Sequence, residues 1–448
     1  MKKNIDKVNV YLYGELMGKL AVDDKGIGFF KYDIEFANKK IEPSPIVMPV
    51  NASMIYSFPK LNPDVFKGMP GMIADSLPDF FGDSLLNMHL DKEGIKKDVN
   101  ISLVKLCLIG NKATGALEYQ PTLQNIGMSA NRKINLGDLV DAINTLLNDK
   151  KSLLKGDLNS LADIISVSSS LGGAAPKAVL GIDKETKEIR AGNIPLPSNF
   201  DYYIIKFDAF KKGSALDIGE SKGYCNVEYA YYQMTKKLNL NMMDSELLIE
   251  NNRSHFLTKR FDRVDGEKIH MQSLNAIANM DSYKNWDYEM YFRVMQKMKL
   301  PQSDQEQMYK RIVFNALAGN SDTHTKNTSF LMQKNGSWRL SPFYDVICSA
   351  IPNQPSTELH KTTINGKNKD FVLEDFKALA EKVAIKNYKQ TIEETISVVE
   401  TWKDIAKTSG VSEENQKHVS KIIENNLNNL KSNGLSVTNK LKNKGLSM

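Results

Sequence analysis

The stretch Gly319-Asn320-Ser321-Asp322-Thr323-His324-Thr325-Lys326-Asn327 lies between an apolar helical run, Ile312 to Leu317, and a strand-like one, Thr328-Ser329-Phe330-Leu331-Met332. Asp322 and Asn327 stand five apart, the D-x-x-x-x-N spacing of a protein-kinase catalytic loop. An Asx-turn or a helix cap gives the same spacing, because Asp and Asn are common in loops. The chemistry that needs it is phosphoryl transfer. There a carboxylate orients the attacking hydroxyl and oxygen ligands hold Mg2+ on the phosphates.

A second carboxylate follows at the expected place. Lys334-Asn335-Gly336 reads as the turn of a short hairpin, and Ser341-Pro342-Phe343-Tyr344-Asp345 closes it. Asp345 thus sits where a kinase places its second metal-binding carboxylate, although an Asp after Pro342 could also cap a helix over 346–350. Asp322 as base with Asn327 and Asp345 as metal ligands makes a complete set. His324 either bonds the loop backbone or contacts phosphate. The remaining histidines are scattered and form no metal set.

Upstream lie residues suited to hold a nucleotide. Leu171-Gly172-Gly173-Ala174-Ala175-Pro176-Lys177 is small enough for backbone N–H groups to approach phosphates. It lacks the GK[ST] ending of a Walker motif. Lys206 is the one charged residue in the β-like run Tyr202–Phe207, as expected of a strand lysine that reaches α- and β-phosphates. Glu228, 22 residues on and within an amphipathic helix, is its natural ion-pair partner.

Around these motifs the chain reads as β-hairpins over 8–31, a helix from Phe80 to Leu90, a helix followed by Gly110 to Gly115 and a strand within 101–120, and a polar helical connection over 121–160. Strands then flank a helix at 225–240, and helical patterns dominate from about 270. We expect an α+β, bilobal protein-kinase-like fold: an N-terminal subdomain (1–125), connecting helices with a β-rich N-lobe (126–262), a helical C-lobe (263–430) and a flexible basic tail (431–448). The 448 residues carry 59 basic and 53 acidic side chains, a net +6 that permits but does not demand an acidic partner. Contact of the Lys-rich tail with DNA phosphates is one such reading. Three distant cysteines and no CxxC argue against a disulfide framework or zinc site. No signal peptide or membrane-length apolar run is visible, so a cytoplasmic protein without membrane association is expected.

The combination resembles the HipA family, the toxin kinases of bacterial toxin–antitoxin modules. The resembling residues are Ser168 to Ala178, Ile205-Lys206-Phe207, Lys259-Arg260-Phe261-Asp262-Arg263, Gly319 to Asn327 and Pro342-Phe343-Tyr344-Asp345. Ser76-Leu77-Pro78-Asp79-Phe80-Phe81-Gly82-Asp83 and Gly110 to Leu117 match in the N-terminal part. The resemblance implies an ATP- and Mg2+-dependent protein serine/threonine kinase with an extra β-rich N-terminal subdomain. By it, Gly172, Gly173, Ala174, Ala175, Pro176, Lys177, Lys206, His324 and Lys326 meet ATP. Lys259, Arg260 and Phe261 form the hinge beside adenine, and Tyr344 lines the pocket. It also implies self-inactivation by autophosphorylation at Ser170, with Ser169 and Ser168 as neighbouring alternatives. The implied partners are a HipB-like helix-turn-helix antitoxin, operator DNA through that antitoxin, and a protein substrate such as an aminoacyl-tRNA synthetase. Ala175-Pro176 replaces a polar pair of the best-known members. Competing readings are a phosphoinositide-like or small-molecule kinase and a non-catalytic corepressor.

Overall fold

The computed structural model describes residues 5–96, 98–123, 133–148, 176–208, 223–351 and 354–431. The N-terminal subdomain is built on an antiparallel sheet of β1 (Lys7–Leu12), β2 (Glu15–Val22), β3 (Gly28–Tyr32) and β4 (Leu117–Gln120), in the order β3-β2-β1-β4. Val8, Val10 and Leu12 alternate onto one buried face, as a half-buried strand requires. Tyr13 and Gly14 both have positive φ, 54° and 81°, the backbone of a tight two-residue hairpin. Helix Ile101–Ile109 packs on β1 and β4, and helix Phe80–Lys92 precedes it.

A second antiparallel sheet forms the β-rich lobe. It comprises β5 (Lys177–Asp183), β6 (Ile189–Ala191), β7 (Phe200–Lys206), β8 (Ser245–Glu250) and β9 (Arg253–Lys259), ordered β6-β5-β7-β9-β8. Helix Tyr224–Lys237 lies on β8 and β9. Its Val227, Ala230, Tyr231 and Met234 are buried at helical spacing. The register of β5 on β7 sets Lys177 directly opposite Lys206.

The helical lobe contains Tyr288–Lys297, Gln302–Ala318, Leu373–Lys382, Tyr388–Val399, Trp402–Thr408 and Glu413–Lys431. Gln302–Ala318 is its central helix, packed by Tyr388–Val399 and Glu413–Lys431. The region after 370, which carries no sequence motif, therefore supplies the walls that hold this helix. A small sheet of His270–Ser273, Ser329–Met332 and Trp338–Leu340 completes the lobe. The result is the bilobal, kinase-like α+β architecture with an added N-terminal subdomain. No helix among the described residues is long and apolar enough to cross a membrane.

The N-terminal subdomain is tied to both lobes. Tyr13 donates its hydroxyl to the Met332 carbonyl at 2.7 Å, and Trp338 Nε1 donates to the Glu42 carbonyl at 3.1 Å. Near the junction of the lobes, Arg263 donates to the carbonyls of Ala113 and Gly115, and Asp262 accepts from the Gly115 N–H at 2.8 Å. These charged groups are buried, which is tolerable because they are paired. Arg260 binds Asp262 through two parallel N–H donors, 2.7 and 2.8 Å long. Burial opposes the Asp262 charge, but Arg260 and Arg263 outweigh it and hold the carboxyl well below its usual range.

Candidate active site

Helix Gln302–Ala318 delivers the loop from Gly319 onward. Gly319 ends it with φ 76°, and its N–H caps the Asn315 carbonyl. The loop turns tightly at Asp322, where the Thr323 N–H donates to the Ser321 carbonyl at 2.8 Å, and coils into a single 3-10 turn over Thr325–Asn327, so that buried and accessible residues alternate along it. Ser321, Thr323 and Thr325 point inward and are buried, whereas Asp322, His324 and Lys326 retain access to solvent. The inward hydroxyl residues are bonded: Thr325 Oγ1 donates to the Met280 carbonyl at 2.7 Å, and Tyr291 donates to the Thr323 carbonyl at 3.1 Å. Small hydroxyl residues alternating with Asp, His and Lys are therefore what fix three polar groups on one face.

Asn327 closes the loop by donating from Nδ2 to the Asp322 carbonyl at 2.8 Å. That leaves its amide oxygen as an acceptor. His324 Nε2 lies 3.7 Å from Asp322 Oδ2. The other ring nitrogen, Nδ1, is buried and has no hydrogen-bond partner, so the imidazole does not serve as a backbone clamp.

Lys206, at the end of β7, is bound from two sides. Its Nζ is 2.6 Å from Glu228 Oε1 on helix Tyr224–Lys237, and it also donates to Asp345 Oδ1. Asp345 has φ 57°, a left-handed conformation that Asp tolerates better than most non-glycine residues. No helix follows at 346–350, so Asp345 is not a cap. Burial opposes the Lys206 charge, yet Asp345 and Glu228 outweigh it and hold the ammonium well above the ordinary lysine range. The Lys206 ammonium keeps Asp345 ionised far below the usual carboxylate range. Burial lifts the Glu228 carboxyl, so Asp345 carries the firmer charge of the two. Lys177, across from Lys206, is pushed down by burial, and Lys206 adds to that effect.

These groups line one cavity of about 980 Å3, together with Asp322, His324, Lys326, Asn327, Lys259 and Tyr344. Its size suits a nucleotide-class ligand plus part of an acceptor. Tyr344 has two tasks there. Its ring lies 5.7 Å from that of Phe261, and its hydroxyl donates to the Lys326 carbonyl at 2.7 Å. Lys259 pairs with Asp201 at 3.0 Å. The Arg260 guanidinium is turned into Asp262, and the residue also lines the cavity. Pro176, whose carbonyl accepts from the Phe207 N–H, adjoins β5. Gly172 to Ala175 and Ser168 to Ser170 lie outside the described residues.

Among the described residues no group of three or more His, Cys, Asp or Glu is arranged to hold a metal ion. The oxygens that could hold one in this cavity are the ionised carboxylate of Asp345 and the amide oxygen of Asn327. Such a hard-oxygen pair fits Mg2+, which takes few protein ligands and fills its shell with water and phosphate oxygens.

The sequence reading did not anticipate the contribution of the N-terminal subdomain. Asp79 binds Lys326 with Oδ1 2.6 Å from Nζ, and Asp75 accepts from both the N–H and the hydroxyl of Ser273 at 2.6 and 2.8 Å. Leu77-Pro78-Asp79 marks a helix start, and nothing local points to a partner 247 positions away.

Comparison with known proteins agrees with this architecture. Residues 8–120 match the model of the HipA N-terminal domain, and residues 169–403 match that of the HipA-like C-terminal domain. A curated Haemophilus influenzae protein provisionally named a kinase is 28% identical over 153 residues, 31% of this chain and 43% of that protein. Sinorhizobium fredii Y4dM, likewise provisionally named a kinase, is 32% identical over 97 residues, 21% of this chain and 23% of that protein. The chain thus spans less than half the length of either curated relative. Among solved structures, Shewanella oneidensis HipA, determined with HipB and operator DNA, superposes with a TM-score of 0.67. It covers 94% of this chain and 96% of that one at 16% identity. With both domain models matched in order and the fold shared over nearly the whole length, the chain belongs to the HipA-like family.

Proposed function

We propose that this protein is an ATP- and Mg2+-dependent protein serine/threonine kinase, the toxin of a toxin–antitoxin module. The observation that carries the reading is Lys206 held between Glu228 and Asp345 in the same cavity as Asp322 and Asn327. Phosphoryl transfer needs positioning and charge stabilisation more than covalent chemistry. In this reading Asp322 accepts the proton of the acceptor hydroxyl. Lys206 and Lys177 meet phosphate oxygens, with Gly172 to Ala175 supplying backbone N–H donors and Pro176 closing the loop without one. Lys259 to Phe261 and Tyr344 flank the adenine, and His324 and Lys326 face the transferred phosphate. Asn327 and Asp345 would hold Mg2+, which neutralises phosphate charge when bound.

The family extends the proposal to partners. A HipB-like antitoxin would bind this chain and, through it, operator DNA, as in the HipB and operator DNA complex of the Shewanella protein. An aminoacyl-tRNA synthetase is the proposed class of target. Phosphorylation at Ser170, or at Ser169 or Ser168, would place up to about two negative charges beside the phosphate loop and oppose ATP binding.

The test is phosphate transfer from γ-labelled ATP with Mg2+, using wild type and Asp322→Asn. Wild type should label protein serine or threonine, and the variant should lose about 100- to 10,000-fold in rate while still binding ATP. Transfer that is undiminished in Asp322→Asn overturns the assignment of the base. Transfer only to a lipid or small molecule overturns the protein-kinase reading.

A further inference from the structure

Lys326 is held from two directions by two different parts of the chain. Its carbonyl accepts from Tyr344, whose hydroxyl also bonds Ser329 Oγ at 2.6 Å, so the helical lobe fixes its backbone. Its ammonium is taken by Asp79, 2.6 Å away, on the N-terminal subdomain. The turn bearing Asp79 is itself anchored. Asp75, four residues earlier, makes two hydrogen bonds to Ser273 of the helical lobe, and the Asp79 carbonyl starts helix Phe80–Lys92 by accepting from the Asp83 N–H at 2.7 Å. Both partners of the ion pair are largely shielded, with side chains 21% and 24% exposed, and both line the cavity that contains Asp322 and Asp345. A lysine carries four rotatable side-chain bonds and loses much freedom when its ammonium is fixed.

We propose that Asp79 is a positioning residue: its carboxylate aims the Lys326 ammonium into the cleft, so that the N-terminal subdomain completes the phosphoryl-transfer site. The inference rests on the kinase reading above. It makes the subdomain part of the catalytic apparatus, through the Leu77-Pro78-Asp79 turn.

The test is a double-mutant cycle on the full chain, with Asp79→Asn, Lys326→Met and the double variant. Asp79→Asn should lower kcat by about ten- to a hundredfold with little change in the KM for ATP, and Asp79→Glu should recover part of it. In the Lys326→Met background, Asp79→Asn should have no further effect. Equal losses in both backgrounds, or unchanged kcat in Asp79→Asn, would overturn the proposal. A readout independent of turnover separates it from the kinase reading. Brief acetylation followed by peptide mass spectrometry should show Lys326 modified faster in Asp79→Asn, with Lys268, paired to Glu118 at 2.7 Å, unchanged. Unaltered Lys326 reactivity overturns the pairing alone. Wild type that transfers no phosphate overturns the kinase reading and with it the catalytic use of the pair.

Discussion

Replacing Glu228 by Gln tests how the site distributes charge. Lys177 and Lys206 bring two positive charges to the cleft floor, and Glu228 and Asp345 bring two negative ones. At 2.6 Å and an effective dielectric of about 20, the Glu228–Lys206 attraction is about 6 kcal/mol in gross terms. Most of that offsets the cost of burying both ions. Glutamine keeps the volume and can still accept from Lys206, and Lys206 keeps Asp345. The expected loss of stability is therefore only about 1–2 kcal/mol. The effect on turnover should be larger. With Glu228 neutral, Asp345 is the one remaining anionic partner of Lys206 among the described residues, and Asp345 would then be less available to Mg2+ in its proposed role. We expect phosphate transfer to fall about ten- to a hundredfold, with a raised Mg2+ requirement, in an assay that titrates Mg2+ at fixed ATP. Full turnover at the wild-type Mg2+ dependence would refute the idea that Glu228 and Asp345 share Lys206.

Asp75→Asn should flatten a pH dependence of stability. Burial raises the Asp75 carboxyl to about 6 from a reference of 3.8. The folded state then binds more protons than the unfolded one, so wild type loses stability as pH rises from about 4 to about 6, measurable by urea titration at several pH values. Asp262→Ala should cost about 3–5 kcal/mol by leaving Arg260 and Arg263 buried and unpaired, seen as a lower denaturation midpoint. Gly319→Ala should cost about 1–3 kcal/mol for its left-handed backbone, with further loss because the new Cβ would stand 2.5 Å from Ile422 Cγ2. Circular dichroism melts would detect it, and a variant as stable as wild type would contradict the capping geometry.

Much of the candidate site was legible because its residues are grouped locally. Asp322 and Asn327 lie in one loop, Asp345 closes the next hairpin, and a lone lysine in an apolar strand stands out as Lys206 does. The strands and helices that carry them follow from periodicity, since buried faces repeat at two or 3.6 residues. The alternation of Ser321, Thr323 and Thr325 with Asp322, His324 and Lys326 was present in the same letters. Only the packed loop shows that the hydroxyls are the inward set, because burial depends on neighbours such as Met280 and Tyr291.

The sequence by itself determined the order of lobes, the polar residues of the candidate loop and the pairing of Lys206 with Glu228. Tertiary structure decided what these residues touch across the chain. Asp345 on Lys206, Asp79 on Lys326 and Asp262 between two arginines and Gly115 are contacts that no local pattern encodes, except for the Arg260–Asp262–Arg263 spacing. An ion pair is specified by where two backbones are held, and here segments far apart in the chain must pack into one core before those positions exist.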